Sequence, residues 1–361
     1  MKDAGRRGLV GKHDHWRCEP AFFAHFLCGG KESECRPAHG QRMKYEGVTR
    51  MPADRQKREP NRPDPNRTPT TMRISQRLTP SLALAALLTT ACTTTTLTNQ
   101  GTYYTDTSRE AQYKDTRIRF LVMHYTEIDE QQSLDVLTQQ QVSAHYVVPD
   151  HPREKNGEPI VWQLVPESQR AWHAGLSDWQ GTTELNAASI GIENVNLGPV
   201  DTPQGRTWQP YPPEQVDAMI RLAKDIVTRY GIPPTRVVGH SDIAPQRKID
   251  PGPLFPWKQL YDAGVGAWPD DATVTKELAG RDPHASVDVR TLQQKLARYG
   301  YEVATDGVLD EKARRVFAAF QMHFRPADYS GTPDAQTDAI AQALLDKYVQ
   351  GAAPEPSKTE P

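Results

Sequence analysis

The alternation of apolar and polar positions from Arg117 onward predicts short strands set between helices. Five segments read as strands: 118–124, 145–148, 160–164, 189–195 and 236–238. In the first, a period of two puts Phe120, Val122 and His124 on one face and ends the strand near the histidine. In the fourth, Ile190 and Ile192 take one face, so Gly191, Glu193 and Val195 share the other, and Gly191 is expected to leave room there for a substrate. Helices are predicted over 134–140 and 213–230. In the longer one Val216, Ile220, Ala223, Ile226 and Val227 recur at helical spacing before Gly231 and Pro233 stop it. Interleaved elements of both kinds predict an α/β fold, a mixed β-sheet flanked by helices, over a domain at 116–268.

A second pattern follows a linker expected at 269–286. Val289, Leu292, Leu296 and Tyr299 form one helical stripe with Gly300 as its stop. Asp306-Gly-Val-Leu-Asp310 then makes a turn and caps a helix carrying Val316, Phe317 and Phe320. A small all-α three-helix C-terminal domain is expected over 287–349, and the polar tail 350–361 is expected to be disordered.

The N-terminal quarter has another character. Residues 1–71 carry 15 Lys and Arg against 9 Asp and Glu, net +6, in a chain of 361 residues whose net charge is −2. From Arg50 to Thr71 the residues are mostly Pro, Arg, Asn, Asp and Thr without an apolar period, too little to offset the ordering entropy. This extension is expected to be disordered or to precede the biological start. Met72-Arg-Ile-Ser-Gln-Arg77 is basic, Leu82-Ala-Leu-Ala-Ala-Leu-Leu88 is an apolar core too short for a membrane span, and Thr89-Thr-Ala-Cys92 is a small-residue cleavage site. Residues 72–92 therefore read as a lipoprotein signal peptide starting at Met72, with Thr89 where such sites usually carry Leu. Cys92 is expected to be lipidated, 93–115 to be a tether, and Thr93 in place of Asp resembles sorting to the outer membrane, facing the periplasm. Of the 4 cysteines only Cys92 falls in the exported part, which excludes a disulfide framework there.

Chemistry concentrates in two places. Val237-Val-Gly-His-Ser-Asp242 delivers His240 from a strand into a proline-braced loop that ends in Asp250, and Phe120-Leu-Val-Met-His-Tyr-Thr126 ends near His124. A lone histidine at a strand end is more often a hydrogen-bonded structural residue than a ligand. Two imidazoles with one carboxylate, however, make the donor set of an open zinc site. Glu193, in an apolar strand, is either half of a buried ion pair or a general base, because an unpaired buried charge costs several kcal/mol. Lys248 by itself reads as a solvated charge.

Between the two places lie Ser143-Ala-His-Tyr-Val-Val148, Gln163-Leu-Val-Pro-Glu167, Ala171-Trp-His-Ala-Gly175 and Ser189-Ile-Gly-Ile-Glu-Asn194. Taken in this order, the motifs resemble the zinc-dependent N-acetylmuramoyl-L-alanine amidases, a family that includes AmpD, amidase-type phage lysozymes and animal peptidoglycan recognition proteins. The likeness runs from about Arg117 to Trp257 and is strongest to the AmiD-like branch of outer-membrane lipoproteins. It implies a Zn2+ cofactor on His124, His240 and Asp250, with Glu193 as general base and Lys248 stabilising the tetrahedral intermediate. It also implies that His145 and His173 line the substrate cleft, with a structural histidine as the alternative at His145. The bond cut would join N-acetylmuramic acid to L-alanine in peptidoglycan or anhydro-muropeptides. The segment from Val287 to Tyr348 resembles a peptidoglycan-binding module.

The expected partners are peptidoglycan and muropeptide fragments, and a membrane through the lipid anchor; no nucleic acid is expected, and the chain is expected to be a monomer. A non-catalytic peptidoglycan recognition protein of the same fold is the alternative. Such relatives characteristically lose a metal ligand, whereas His124, His240 and Asp250 are all present here with Glu193 and Lys248.

Overall fold

Five strands form the central sheet: β1 (Phe120–Tyr125), β2 (Tyr146–Val148), β3 (Trp162–Gln163), β4 (Ser189–Asn194) and β5 (Val237–Gly239), in the order β5-β1-β4-β2-β3. Neighbours run parallel except β2 and β3, which are antiparallel, so the sheet is mixed as its sequence pattern predicts. The computed structural model describes residues 96–203 and 205–350. The chain divides into Met1–Ala91 and Cys92–Pro361, and every described residue belongs to the second unit. The expected extension 1–71, the signal segment 72–92 with Cys92, and the tail from 351 on lie outside the described residues. Within the expected tether, Leu97–Asn99 and Tyr104–Asp106 pair as an exposed antiparallel hairpin.

β1 is buried along its whole length, as a strand covered on both faces must be. On one face, α2 (Pro213–Tyr230) packs Met219, Ala223 and Ile226 against Leu121, Met123, Ile190 and Ile192. Gly231 ends α2 with φ 63, a left-handed conformation that glycine adopts without a Cβ penalty. α1 (Glu130–Gln139) starts where the Asp129 carboxylate accepts from the Gln132 amide at 2.9 Å. The register of β4 on β1 runs from Ser189 opposite Phe120 to Asn194 opposite Tyr125, which sets Glu193 beside His124. β5 pairs Gly239 with Met123, so α3 (His240–Ile243) begins next to the carboxyl end of β1. Parallel sheets present their ligand sites at that edge.

After α4 (Trp257–Asp262) the chain is helical: α5 (Asp271–Leu278), α6 (Val289–Tyr299), α7 (Glu311–Phe324) and α8 (Ala335–Tyr348). α6, α7 and α8 each start on an aspartate, with Asp288, Asp310 and Asp334 accepting from the amides of Thr291, Ala313 and Thr337; such a cap contributes about 1 kcal/mol. The stretch expected as a linker, 269–286, contains α5, which packs on α8. The three-helix unit does not stand apart. Phe120 and Val122 from the other face of the sheet share one buried cluster with Leu292, Tyr299, Phe317 and Phe320. The apolar stripes of three short helices expose more surface than the helices can hide among themselves, and the sheet covers the remainder.

Candidate active site

His124 is the penultimate residue of the buried β1, His240 opens α3, and Asp250 lies in the loop that follows. His124 Nδ1 lies 3.0 Å from His240 Nδ1 and 3.0 Å from Asp250 Oδ2, and His240 Nδ1 lies 3.1 Å from the same oxygen. The three donor atoms thus form a nearly equilateral triangle, whose edges are close to the roughly 3.3 Å of a tetrahedron with metal–ligand bonds of roughly 2.0 Å. The far nitrogen of each imidazole is engaged. His124 Nε2 is 3.0 Å from His173 Nδ1, and His240 Nε2 is 3.1 Å from the Ala174 carbonyl. A carbonyl only accepts, so His240 carries its proton on Nε2 and turns the Nδ1 lone pair toward the triangle. Burial pushes His240 down to about 4, which keeps it neutral near pH 7. Burial alone would raise the Asp250 carboxyl, yet the two imidazoles that face it and the charge of Lys248 hold Asp250 well below the usual carboxylate range. Two imidazole lone pairs and an anionic oxygen converging on one point fit a divalent cation.

His173 and His145, the two further histidines of the motifs, are both buried. His173 is 8% exposed and sits beneath His124. Its Nδ1 faces His124 Nε2, its Nε2 is 3.1 Å from Ser189 Oγ, and the Ser189 hydroxyl donates onward to the Leu185 carbonyl at 2.6 Å. This chain fixes the tautomer: Ser189 gives its proton to Leu185, His173 donates from Nε2 to Ser189, and His124 donates from Nε2 to His173. His145 is fully buried; its Nδ1 accepts from the Gly191 amide at 3.1 Å and its Nε2 faces the Gln169 carbonyl at 3.2 Å. These hydrogen bonds satisfy both imidazoles in the interior, which for His145 is the structural reading. The room expected beside Gly191 is likewise taken, because a Cβ there would come 2.4 Å from His173 Cγ.

Sequence reasoning missed how segment 171–176 serves both metal-facing histidines. Asn186 Oδ1 accepts from the amides of His173 at 2.9 Å and Ala174 at 2.8 Å, which holds His173 under His124 and the Ala174 carbonyl under His240. Arg247 donates to the carbonyls of Ala174 and Leu176 and pins the same segment to the loop that carries Asp250. The one available signal was Gly191, which shares a face with Glu193 and gives up its side-chain volume to His173.

Glu193 lies next to His124 across the β4–β1 pair. Its Oε2 is buried and has no hydrogen-bond partner among the described residues, so the buried ion pair that was the alternative reading is not formed there. Burial raises the Glu193 carboxyl to about 7; Asp250 adds to that, while His124 and Lys248 oppose it. Lys248, half-buried on the loop before Asp250, acts on Glu193, Glu127 and Asp250 through its charge, and no carboxylate among the described residues holds it in an ion pair. Glu127 was also missed. It is a half-buried carboxyl with φ 63 that burial raises and Lys248 lowers.

The family model described as N-acetylmuramoyl-L-alanine amidase matches residues 114–253, and a peptidoglycan binding domain model matches 285–340. The chain is 55% identical over 248 residues to N-acetylmuramoyl-L-alanine amidase AmiD of Escherichia coli (strain K12), covering 69% of this chain and 90% of that protein. It is 38% identical over 107 residues to 1,6-anhydro-N-acetylmuramyl-L-alanine amidase AmpD of Enterobacter cloacae, covering 30% of this chain and 51% of that one. Among solved structures, the complex of E. coli AmiD with the substrate anhydro-N-acetylmuramic acid-L-Ala-D-gamma-Glu-L-Lys superposes with a TM-score of 0.67 at 53% identity, over 70% of this chain and 98% of that one. AmpDh3 of Pseudomonas aeruginosa superposes with a TM-score of 0.60 at 41% identity, again over 70% and 98%.

Proposed function

Since the chain belongs to the N-acetylmuramoyl-L-alanine amidase family, we propose that it is a zinc hydrolase that cuts the amide between the lactyl group of N-acetylmuramic acid and L-alanine, in peptidoglycan or in anhydro-muropeptide fragments. The observation that carries this reading is the convergence of His124 Nδ1, His240 Nδ1 and Asp250 Oδ2 within 3.1 Å of one another, beside Glu193 Oε2, which has no hydrogen-bond partner among the described residues. His124, His240 and Asp250 would hold zinc, whose chemistry when bound is that of a Lewis acid that polarises a carbonyl and acidifies water.

The remaining work falls to the chain's own groups. Glu193 takes a proton from the attacking water on its carboxylate while the water oxygen bonds to the amide carbon. The same proton then passes to the leaving nitrogen as the C–N bond breaks, giving a lactyl carboxylic acid and the free amine of L-alanine. A carboxyl raised toward 7 is matched to both halves of that transfer, and such help contributes about 10² to 10⁴ in rate. The Lys248 ammonium, in no ion pair among the described residues, is free to stabilise the developing oxyanion, a role worth about 10² to 10³. The shell of His173, Ser189, Asn186 and Arg247 keeps both imidazoles in the orientation and tautomer a metal needs.

Action on peptidoglycan places this work in the periplasm. An anchor in the outer membrane through lipid on Cys92 is supported by the basic, apolar and small-residue order of 72–92 and by Thr93. The C-terminal domain matched at 285–340 supports direct binding to the wall. Incubation with anhydro-N-acetylmuramyl-tripeptide and with purified sacculi, followed by mass spectrometry, tests the reaction. Peptides with a free L-alanine amine are expected, lost on chelation and recovered with added zinc. Intact substrate in the presence of zinc would leave only a wall-binding protein.

A further inference from the structure

We propose that Tyr301 and His323, which belong to the C-terminal helical domain, are positioning residues for the metal site and act through Asp242 on His240. The inference rests on the reading of His240 as a metal ligand. α3 is a single turn, His240–Ile243, too short to be stable alone, so what surrounds it sets its direction. Asp242 is 1% exposed and its carboxylate has three partners. Oδ2 accepts from the Gly239 amide at 2.7 Å, which closes the entry to the turn immediately before His240. The other two partners come from the helical domain: the Tyr301 hydroxyl donates to Oδ1 at 2.6 Å, and His323 Nδ1 lies 2.7 Å from Oδ2.

Three further contacts bind the same region. The His323 ring stacks on Trp257 with centroids 3.7 Å apart and planes 13° apart, at the end of the loop that carries Asp250. Arg315 donates to the Gln246 carbonyl at 2.6 Å, and the Gln246 amide donates to the Lys312 carbonyl at 3.1 Å, so α7 runs along that loop. Ile243 and Ala244 are buried in the same cluster as Phe317 and Phe320. The helical domain thus supplies one wall of the seat on which His240 and Asp250 are held, in addition to any grip on the cell wall. A hydrogen-bonded residue that orients a metal ligand typically costs about ten- to a hundred-fold in metal affinity when removed.

The test uses the full chain and the variants Tyr301→Phe, Asp242→Asn and the two combined. Tyr301→Phe deletes one hydroxyl and keeps the ring that packs on Trp179 and Phe320. Zinc affinity is read by chelator competition, the geometry of the site by the visible spectrum of the cobalt(II)-substituted protein, and kcat and KM on a soluble muropeptide. The expected result is zinc binding about ten-fold or more weaker in each single variant, a changed cobalt spectrum, a lower kcat at nearly constant KM, and a combined variant no worse than Asp242→Asn alone. Zinc affinity and cobalt spectrum equal to the parent's in Tyr301→Phe, or strictly additive losses in the combined variant, overturn the inference. If Asp242→Asn does not fold, Tyr301→Phe and its cobalt spectrum decide. A parent chain that binds no zinc overturns the metal reading itself, which the variants alone would not do.

Discussion

Gly191 and His173 compete for one volume: a Cβ on Gly191 would stand 2.4 Å from His173 Cγ and 2.6 Å from its Nδ1, the atom that faces His124 Nε2. The glycine is therefore the seat of the imidazole that orients His124. Gly191→Ala is expected to destabilise the fold by about 1 to 3 kcal/mol, as overpacking does. It should also weaken zinc binding by about ten-fold or more by tilting the His124–His173–Ser189 chain. Thermal melts and chelator competition check both, and zinc affinity within about two-fold of the parent would contradict the seating.

Stability against acid should depend on Glu167. Arg229 forks onto its two oxygens at 2.6 and 2.8 Å, with burial opposing and the Tyr230 and Tyr146 hydroxyls assisting, and the carboxyl is held down to about 2 from its ordinary 4.5. Because the folded value is the lower one, the stabilisation is complete above about 4.5 and is lost as pH falls toward about 2. Glu167→Gln should therefore be less stable than the parent in urea at pH 7, with the difference closing between about 4.5 and 2. A difference that stays constant across that window would assign the loss to packing instead.

How much of this was legible in the sequence depended on the range of the interactions. β1, β4 and α2 were readable because burial and local period coincide there, and α2 keeps its expected bounds, Pro213–Tyr230. Residues 160–164 read as a full strand, yet only Trp162–Gln163 pairs with β2, while the Ile160 amide bonds back to the Arg153 carbonyl. The convergence of His124, His240 and Asp250 was foreshadowed by motif order. The placement of His173 was not, because which side of a sheet an imidazole enters depends on neighbours far along the chain. The Asp242 contacts span 59 residues to Tyr301 and 81 to His323, a separation that no local pattern encodes. The linker expected at 269–286 failed to anticipate a core shared by sheet and helices for the same reason.

The anchor has its own test, independent of the fold. If lipid on Cys92 holds the protein at the outer membrane, Cys92→Ser should abolish metabolic palmitate labelling and move the protein from the membrane to the soluble periplasmic fraction. Label persisting in the variant would contradict the anchor and leave the catalytic reading untouched.

The central claim is that His124, His240 and Asp250 hold the metal while Glu193 moves the proton, and one variant separates those roles. Glu193 shares a sheet face with His124 but keeps a buried oxygen without a partner among the described residues, so its removal should leave the three ligands in place. The most direct measurement is turnover of a soluble muropeptide by Glu193→Ala at confirmed zinc stoichiometry. A full complement of zinc with kcat lower by about 10² or more is the predicted result. Near-parental kcat with zinc retained would contradict the account.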